Sequence, residues 1–402
     1  MATQKATQAA GDLDPDFGDE GKVLYFPPPS TPTLRMSGRS RLRSDGKIFT
    51  AGYHINLGDL VLIRHLSNGD LDVSFGDGGV KLISIVSGYR IMECLLELYW
   101  DDSALICGSF GDRYADMLFF CKLRPDGELD TSFGTQGIIF LDLTLGADVA
   151  NALAIRSDGK IILLVSARKE ELLICLDSEG DFDPAFGNGG IVYVGRDDYS
   201  SLIVLSDNRL LLAGGSEFRG DSEYGVMQFA RFLPDGAVDK AFGENGRVTI
   251  DVKNTDYAHV TSTVQQRDGK ILAVGYVIIE EKGYYTLITR INADGSLDSA
   301  FNNGIPYLTG PPYYSRGTTV AVQPDDKILV TTSAAGSFNL MRLLPSGALD
   351  MGFGLQGKVM TDMSGADVAS DIAVQVDGKI VLFGTVKISP QGTGIGIARY
   401  FG

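Results

Sequence analysis

Short apolar runs alternate with turn-rich polar stretches along the whole chain, and the runs have the length of strands rather than of helices. "GKVLYF", "LVLIRHL", "MLFFCKL" and "VMQFARF" are typical, and none carries a 3.6-residue stripe. Between two such runs Asp-Gly marks a tight hairpin, because glycine takes a positive φ at little steric cost. Thus "ALAIRSDGKIILLVSA", residues 152–167, predicts strand, turn, strand. The pattern predicts an all-β protein.

The hairpin signature recurs as SDGKI at 44–48 and 157–161, RDGKI at 267–271, PDDKI at 324–328 and VDGKI at 377–381. SDNRL at 206–210 is a weaker version and DDSAL at 101–105 a degraded one. A second signature, LDxxFG, interleaves with it at 13–18, 71–76, 129–134, 182–187, 238–243, 297–302 and 349–354. Phe182 and Val238 open two of these copies, and Asn302 replaces the glycine of another. The aromatic residues, Phe17, Phe75, Phe133, Phe186, Phe242, Phe301 and Phe353, lie 52 to 59 residues apart. Four strand-like runs per period fit a propeller blade better than a solenoid coil. We therefore expect a seven-bladed β-propeller with four antiparallel strands per blade, residues 1–10 forming a flexible N-terminal segment and 11–402 a single domain. Each blade is expected to come from one continuous segment, so that closing the ring rests on packing alone.

The two signatures together, DGKI followed by PDGxLDxxFGxxG, resemble the delta-60 repeat, a bacterial β-propeller-type repeat. The resemblance covers nearly the whole chain after the first ten residues. It implies a propeller fold and no shared biochemical activity.

The LDxxFG segment reads as a structural joint. Its Asp can accept backbone N–H groups and its lone Phe is fit to be wedged into a core. Arg64, Lys122, Arg231, Arg290 and Arg342 each stand five residues before a joint glycine, with the acid three after it. Each base is expected to pair with the acid of its own repeat or to guard an outer edge strand. Cys175 takes the basic position in the third unit, which leaves Asp183 without that partner.

Composition narrows the function. With 35 Lys and Arg against 51 Asp and Glu, the formal charge is −16 and no basic stripe offsets it, so no nucleic-acid partner is expected. The N-terminus lacks the apolar core of a secretory signal, and no apolar run approaches the roughly 18 residues of a membrane helix. The expectation is a cytoplasmic protein without membrane insertion, an unconventional export route being left open. Cys94, Cys107, Cys121 and Cys175 sit mostly in apolar runs and read as reduced and buried, with a Cys107–Cys121 disulfide as the minority alternative. His54, His65 and His259 have no metal spacing, and there is no phosphate loop or nucleophile elbow, so neither metal nor cofactor is expected.

In a four-stranded blade the joint and the Asp-Gly hairpin emerge on one side, and the irregular connections emerge on the other. Variable loops on a fixed scaffold are where recognition resides. That face gathers Tyr199, Tyr257, Tyr284, Tyr285, Tyr313 and Tyr314, with Phe218 and Arg219. Asp148, Asp198, Asp256 and Asp367 recur just ahead of a strand, as an acidic partial ring or as turn caps. His259 beside Asp256 reads as an acid or base, or simply as a solvated loop residue. The expected function is a non-enzymatic module binding a protein or a carbohydrate there, with Asp198, Tyr199, Arg219, Asp256, Tyr257, Tyr284, Tyr313 and Tyr314 as binding candidates and no catalytic residue assigned. The alternative is a polysaccharide hydrolase or lyase with carboxylates at the channel mouth, drawn from Asp197, Asp198, Asp251, Asp256 and Glu281. It requires two facing carboxylates, one of them with a raised pKa.

Overall fold

The structure, a computed structural model, describes residues 8–26, 34–54, 57–111, 117–143, 148–167, 170–217, 224–309, 315–334, 336–388 and 392–402. Tyr313, Tyr314, Phe218 and Arg219 lie outside the described residues.

The strands are β1 (Lys22–Tyr25), β2 (Leu34–Leu42), β3 (Ile48–His54), β4 (Asp59–His65), β5 (Val80–Ser84), β6 (Arg90–Leu98), β7 (Ala104–Gly111), β8 (Met117–Leu123) and β9 (Ile138–Leu141). Next come β10 (Asp148–Ile155), β11 (Ile161–Ala167), β12 (Glu170–Leu176), β13 (Ile191–Gly195), β14 (Tyr199–Val204), β15 (Leu210–Glu217), β16 (Gly225–Phe232), β17 (Arg247–Val252) and β18 (Tyr257–Gln265). The last are β19 (Ile271–Ile279), β20 (Gly283–Ile291), β21 (Tyr307–Leu308), β22 (Arg316–Val322), β23 (Ile328–Ala334), β24 (Ser337–Leu343), β25 (Lys358–Thr361), β26 (Val368–Val374), β27 (Ile380–Ile388) and β28 (Gly392–Tyr400).

Among the described residues all strand pairings are antiparallel, and strands consecutive within a unit are neighbours. The sheets are β2–β5, β6–β9, β10–β13, β22–β25 and a last one in the order β1-β28-β27-β26, plus an eight-stranded sheet. In that larger sheet the runs β14–β17 and β18–β21 are fused where Ser216 pairs Ala258 and Glu217 pairs Tyr257. Glycine permits the fusion, since a Cβ at Gly215 would meet the Ala258 carbonyl oxygen at 2.0 Å and one at Gly225 the Tyr257 carbonyl carbon at 2.4 Å.

The expectation of one continuous segment per unit is corrected here. β1 pairs with β28, from Lys22 opposite Ala398 to Tyr25 opposite Ile395, so the N-terminal strand completes the sheet of the C-terminal ones. The reason lies in the joint, which links the third and fourth strands of a unit. The strand after the first joint is therefore an outer strand, and it takes the open edge of β28. The ends of the chain are tied by hydrogen bonds rather than by packing alone.

The joints carry the core. All seven joint Phe side chains are at most 1% exposed. Five of the rings are roofed by the base paired with their joint's acid, Arg64, Arg231, Arg290, Arg342 and Arg399 standing 4.2 to 5.0 Å over Phe75, Phe242, Phe301, Phe353 and Phe17, and Lys122 stands 5.6 Å over Phe133. The ring also lies against the turn of the following unit, where a Cβ at Gly127 would come within 2.1 Å of Phe75. That contact, with φ +87° at Gly127, requires glycine there. Asn302 has φ 45°, close to the 50–56° of the joint glycines, and its N–H still reaches the next unit at Ser346 O, 2.9 Å. Asparagine tolerates the left-handed region, so the joint survives the substitution.

The bases pair with their own acids: Arg64–Asp72 at 2.8 Å, Arg231–Asp239 and Arg290–Asp298 at 2.7 Å, Arg342–Asp350 at 2.9 Å and Lys122–Asp130 at 3.4 Å. Arg399 makes the equivalent pair with Asp14 at 2.8 Å, across the junction of the chain ends. The hairpin base supplies a second cation, as Lys47 does to Asp72, Lys270 to Asp298 and Lys379 to Asp14. The third unit follows its expectation. Asp183 lacks a base at position 175 but is held by Lys160 at 2.6 Å. Many of the bases also donate onward to the next turn, as in Arg290 to Pro345 O at 2.8 Å and Arg399 to Ser67 O at 2.6 Å. In the third unit Arg156 does this instead, to Pro234 O at 2.7 Å.

Burial alone would raise these acids. Hydrogen bonds and paired bases outweigh it, so Asp14, Asp72, Asp130, Asp239 and Asp298 sit below the usual carboxylate range. Asp183 is lowered chiefly by its Lys160 bond. All four cysteines are free and buried. Cys107 and Cys121 are on paired strands, but Cys121 faces Ile106 and Cys107 faces Phe120, so their side chains leave opposite faces of the sheet.

Candidate functional site

The side opposite the joints carries one cluster that does not repeat. Tyr257 and His259 leave β18 at successive same-face positions and stack at 5.9 Å with an interplanar angle of 12°. Tyr276 on β19 lies 5.8 Å from both rings and 5.8 Å from Tyr284 on β20. Arg316, opening β22, covers Tyr284 at 3.8 Å and Tyr276 at 5.0 Å. Asp198, just before β14, accepts a hydrogen bond from the Tyr257 hydroxyl at 3.2 Å. The cluster therefore draws on three consecutive units, and the β15–β18 fusion beside Tyr257 fixes two of them together.

His259 is buried and is the polar centre. Ser200 Oγ donates to Val260 O at 2.9 Å, so it accepts from His259 Nε2 at 2.9 Å, and Nδ1 faces the Tyr257 hydroxyl at 3.3 Å. Burial lowers its pKa, with the Asp198 charge opposing, and the imidazole is neutral at neutral pH. Its carboxylate neighbour is Asp198, 3.8 Å from Nδ1, and not Asp256 as the chain order suggested. Asp256 is exposed and accepts from Glu280 N at 2.5 Å, closing the 279–283 turn.

Other candidates separate from the cluster. Tyr199 is 1% exposed, packed beneath the face with its hydroxyl taking a bond from Arg247 at 3.1 Å, so it offers no surface. Tyr285 points the opposite way from Tyr284, into the core. Asp148 and Asp367 are buried, and Asp367 accepts the N–H groups of Met363, Ser364 and Gly365 at 2.8 to 3.1 Å. Turn capping, not an open acidic ring, describes them. Asp198 differs, its side chain being 62% exposed.

Asp197 is ion-paired to Arg247. The carboxyls with raised pKa, Glu93 and Glu171, are none of those expected. Glu171, at the start of β12, is pushed up to about 8 by burial and then by the charges of Asp198 and Asp197. Its Oε1 accepts Tyr199 N at 2.7 Å, and it lies below the surface.

The chain order gave no sign of Tyr276 and Arg316, which occur inside strand runs. Only the register, Tyr257 opposite Ile278 and Tyr276 opposite Thr286, brings them to the face.

Behind the cluster lies a central cavity of about 260 Å³, lined by residues of β2, β6, β10, β14, β18, β22 and β26, the first strand of every four-stranded run. Residues 43–75, 266–301 and 323–353 match the family described as Domain of unknown function (DUF5122) beta-propeller. The fold is a β-propeller. No curated protein matches the sequence. Among solved structures, virginiamycin B lyase from Staphylococcus aureus aligns at TM-score 0.56 and 10% identity over 94% of this chain and 97% of that one. Extracellular domains 1–2 of Drosophila Semaphorin 1b align at 0.52 and 10%, over 97% and 88%. A puromycin-hydrolysing peptidase of Mycobacterium tuberculosis aligns at 0.51 and 12%, over 94% and 52%. At such identities the likeness is one of propeller architecture alone. No helix among the described residues is long and apolar enough to cross a membrane.

Proposed function

We propose that the chain is a seven-bladed propeller, closed by its N-terminal strand, that binds a carbohydrate on its irregular face. The blade count is supported by the seven first strands that share one cavity and by the recurrence of the joint. The observation carrying the binding reading is the Tyr257–Tyr276–Tyr284 band, flanked by Asp198 on one side and Arg316 on the other. Aromatic faces accept the C–H side of a sugar ring, while a carboxylate and a guanidinium at the two ends fix its hydroxyls. A glycan array tests this. The full chain is expected to give discrete signals that Tyr284→Ala and Arg316→Ala abolish without change in melting temperature. A blank array, together with a protein captured on the same surface, would replace the carbohydrate by a protein partner.

A second reading, polysaccharide cleavage, draws on Glu171 as a protonated acid next to the carboxylates of Asp197 and Asp198. It ranks lower because the Glu171 carboxyl is buried and bonded to the Tyr199 backbone. Release of reducing ends from polysaccharides, lost in Asp198→Asn, would raise it above the first.

A further inference from the structure

Six of the seven first strands carry a one-residue bulge at a corresponding place, among them those between Tyr199 and Ser201, Val260 and Ser262, Gly317 and Thr319, and Ala369 and Asp371. A bulge turns the extra residue toward the channel. Those residues are Ser200, Thr261, Thr318 and Ser370, all lining the central cavity. Three of them spend their proton on the carbonyl of the next first strand. Ser200 donates to Val260 O, Thr261 to Gly317 O and Thr318 to Ala369 O, each at 2.9 Å. Ser200 also accepts from His259 Nε2 at 2.9 Å and Thr318 from Thr331 Oγ1 at 2.7 Å, so each of these two oxygens keeps one lone pair and Thr261 keeps both.

The charges in the wall are balanced. Arg41 joins Glu97, at 2.5 Å, and Asp371, and Arg39 also lines the space. The two carboxylates are engaged by the Arg41 guanidinium, so the lining has no surplus charge to attract an ion. A space of about 260 Å³ holds roughly nine waters at about 30 Å³ each, or one molecule the size of a monosaccharide.

We infer that the central cavity is a binding site for a small neutral polyol, whose hydroxyl groups donate to the ring of bulge oxygens formed by Ser200, Thr261 and Thr318. A donor-rich, uncharged molecule is the complement of acceptor oxygens in a charge-balanced wall. The site is separate from the aromatic band and does not depend on it, although Ser200 also touches His259.

Isothermal titration calorimetry with D-glucose, D-galactose, D-mannose and myo-inositol, with glucuronate and spermidine as charged counterparts, tests the assignment. At least one neutral polyol is expected to bind with Kd below about 10 mM, and neither charged probe is expected to compete. Thr261→Val with Thr318→Val should weaken binding roughly tenfold or more, whereas Thr261→Ser with Thr318→Ser, which keeps both oxygens, should retain it. A melting curve on each variant separates loss of the site from loss of the fold. Absence of heat with all four polyols, preference for a charged probe, or equal binding by the folded valine and serine variants would overturn it.

Discussion

The two sides of the propeller use the same kinds of residue to opposite ends. On the joint side an Arg, an Asp and an aromatic ring recur from unit to unit, with the acid bonded to its base, the base laid over the Phe and the next turn closed over both. On the other side Arg316, Asp198 and three tyrosines occur once, with Asp198 largely in solvent. Burial and repetition mark the first arrangement as scaffold. Exposure and singularity set the second apart, and it is there that the proposed binding of a carbohydrate is placed.

The largest effect in the comparison should come from cutting into the scaffold at its apolar centre. Phe133→Ala empties a fully buried ring site and is expected to cost about 3–5 kcal/mol, read by urea or thermal unfolding. Asp239→Asn should cost about 3 kcal/mol by leaving Arg231 and Arg209 without their carboxylate. The Asp239 pKa is lowered in the fold, so its contribution is complete above the unfolded value near 4 and fades as pH falls through the folded value. The gap between wild type and this variant should therefore close only in strong acid. A gap that stayed constant down to acid unfolding would show that the charge of Asp239 contributes nothing.

The joint-side clamp was readable in the chain, base and acid included, because a period of 52 to 59 residues displays each position repeatedly. Closure was misjudged because a repeat does not reveal its own phase. Nothing local in "KVLYF" says whether it begins a unit or ends one, and only the pairing partner Gly396 opposite Leu24 decides. That Asp183 lacks the strand base was readable from Cys175, while its Lys160 partner is the hairpin cation that Lys47 and Lys270 supply in other repeats. On the irregular face Tyr257, Tyr284 and Asp198 were visible as loop-adjacent residues. Tyr276 and Arg316 were hidden within strands, where alternation gives a ring no mark of being lateral to another. Tyr199 looked exposed for the same reason in reverse, since the residue after a turn can point either way and here packs inward beneath Arg247.

An effect of opposite sign should sharpen the contrast beneath the irregular face. Glu171 titrates at about 8 in the fold against about 4.3 when unfolded, so the native state loses stability as pH rises between those values. Glu171→Gln should be no more stable than wild type below about pH 4 and more stable by up to about 5 kcal/mol at pH 8. Equal pH dependence in the two proteins would place the Glu171 carboxyl in solvent instead.

The division between the two faces is tested most directly by following one clamp variant and one cluster variant, Asp239→Asn and Tyr276→Ala, through both a melting curve and the glycan array. The propeller account predicts that Asp239→Asn melts well below wild type yet keeps the array pattern at low temperature, while Tyr276→Ala melts with wild type and loses its signals. A changed ligand pattern in folded Asp239→Asn, or an intact one in Tyr276→Ala, would contradict it.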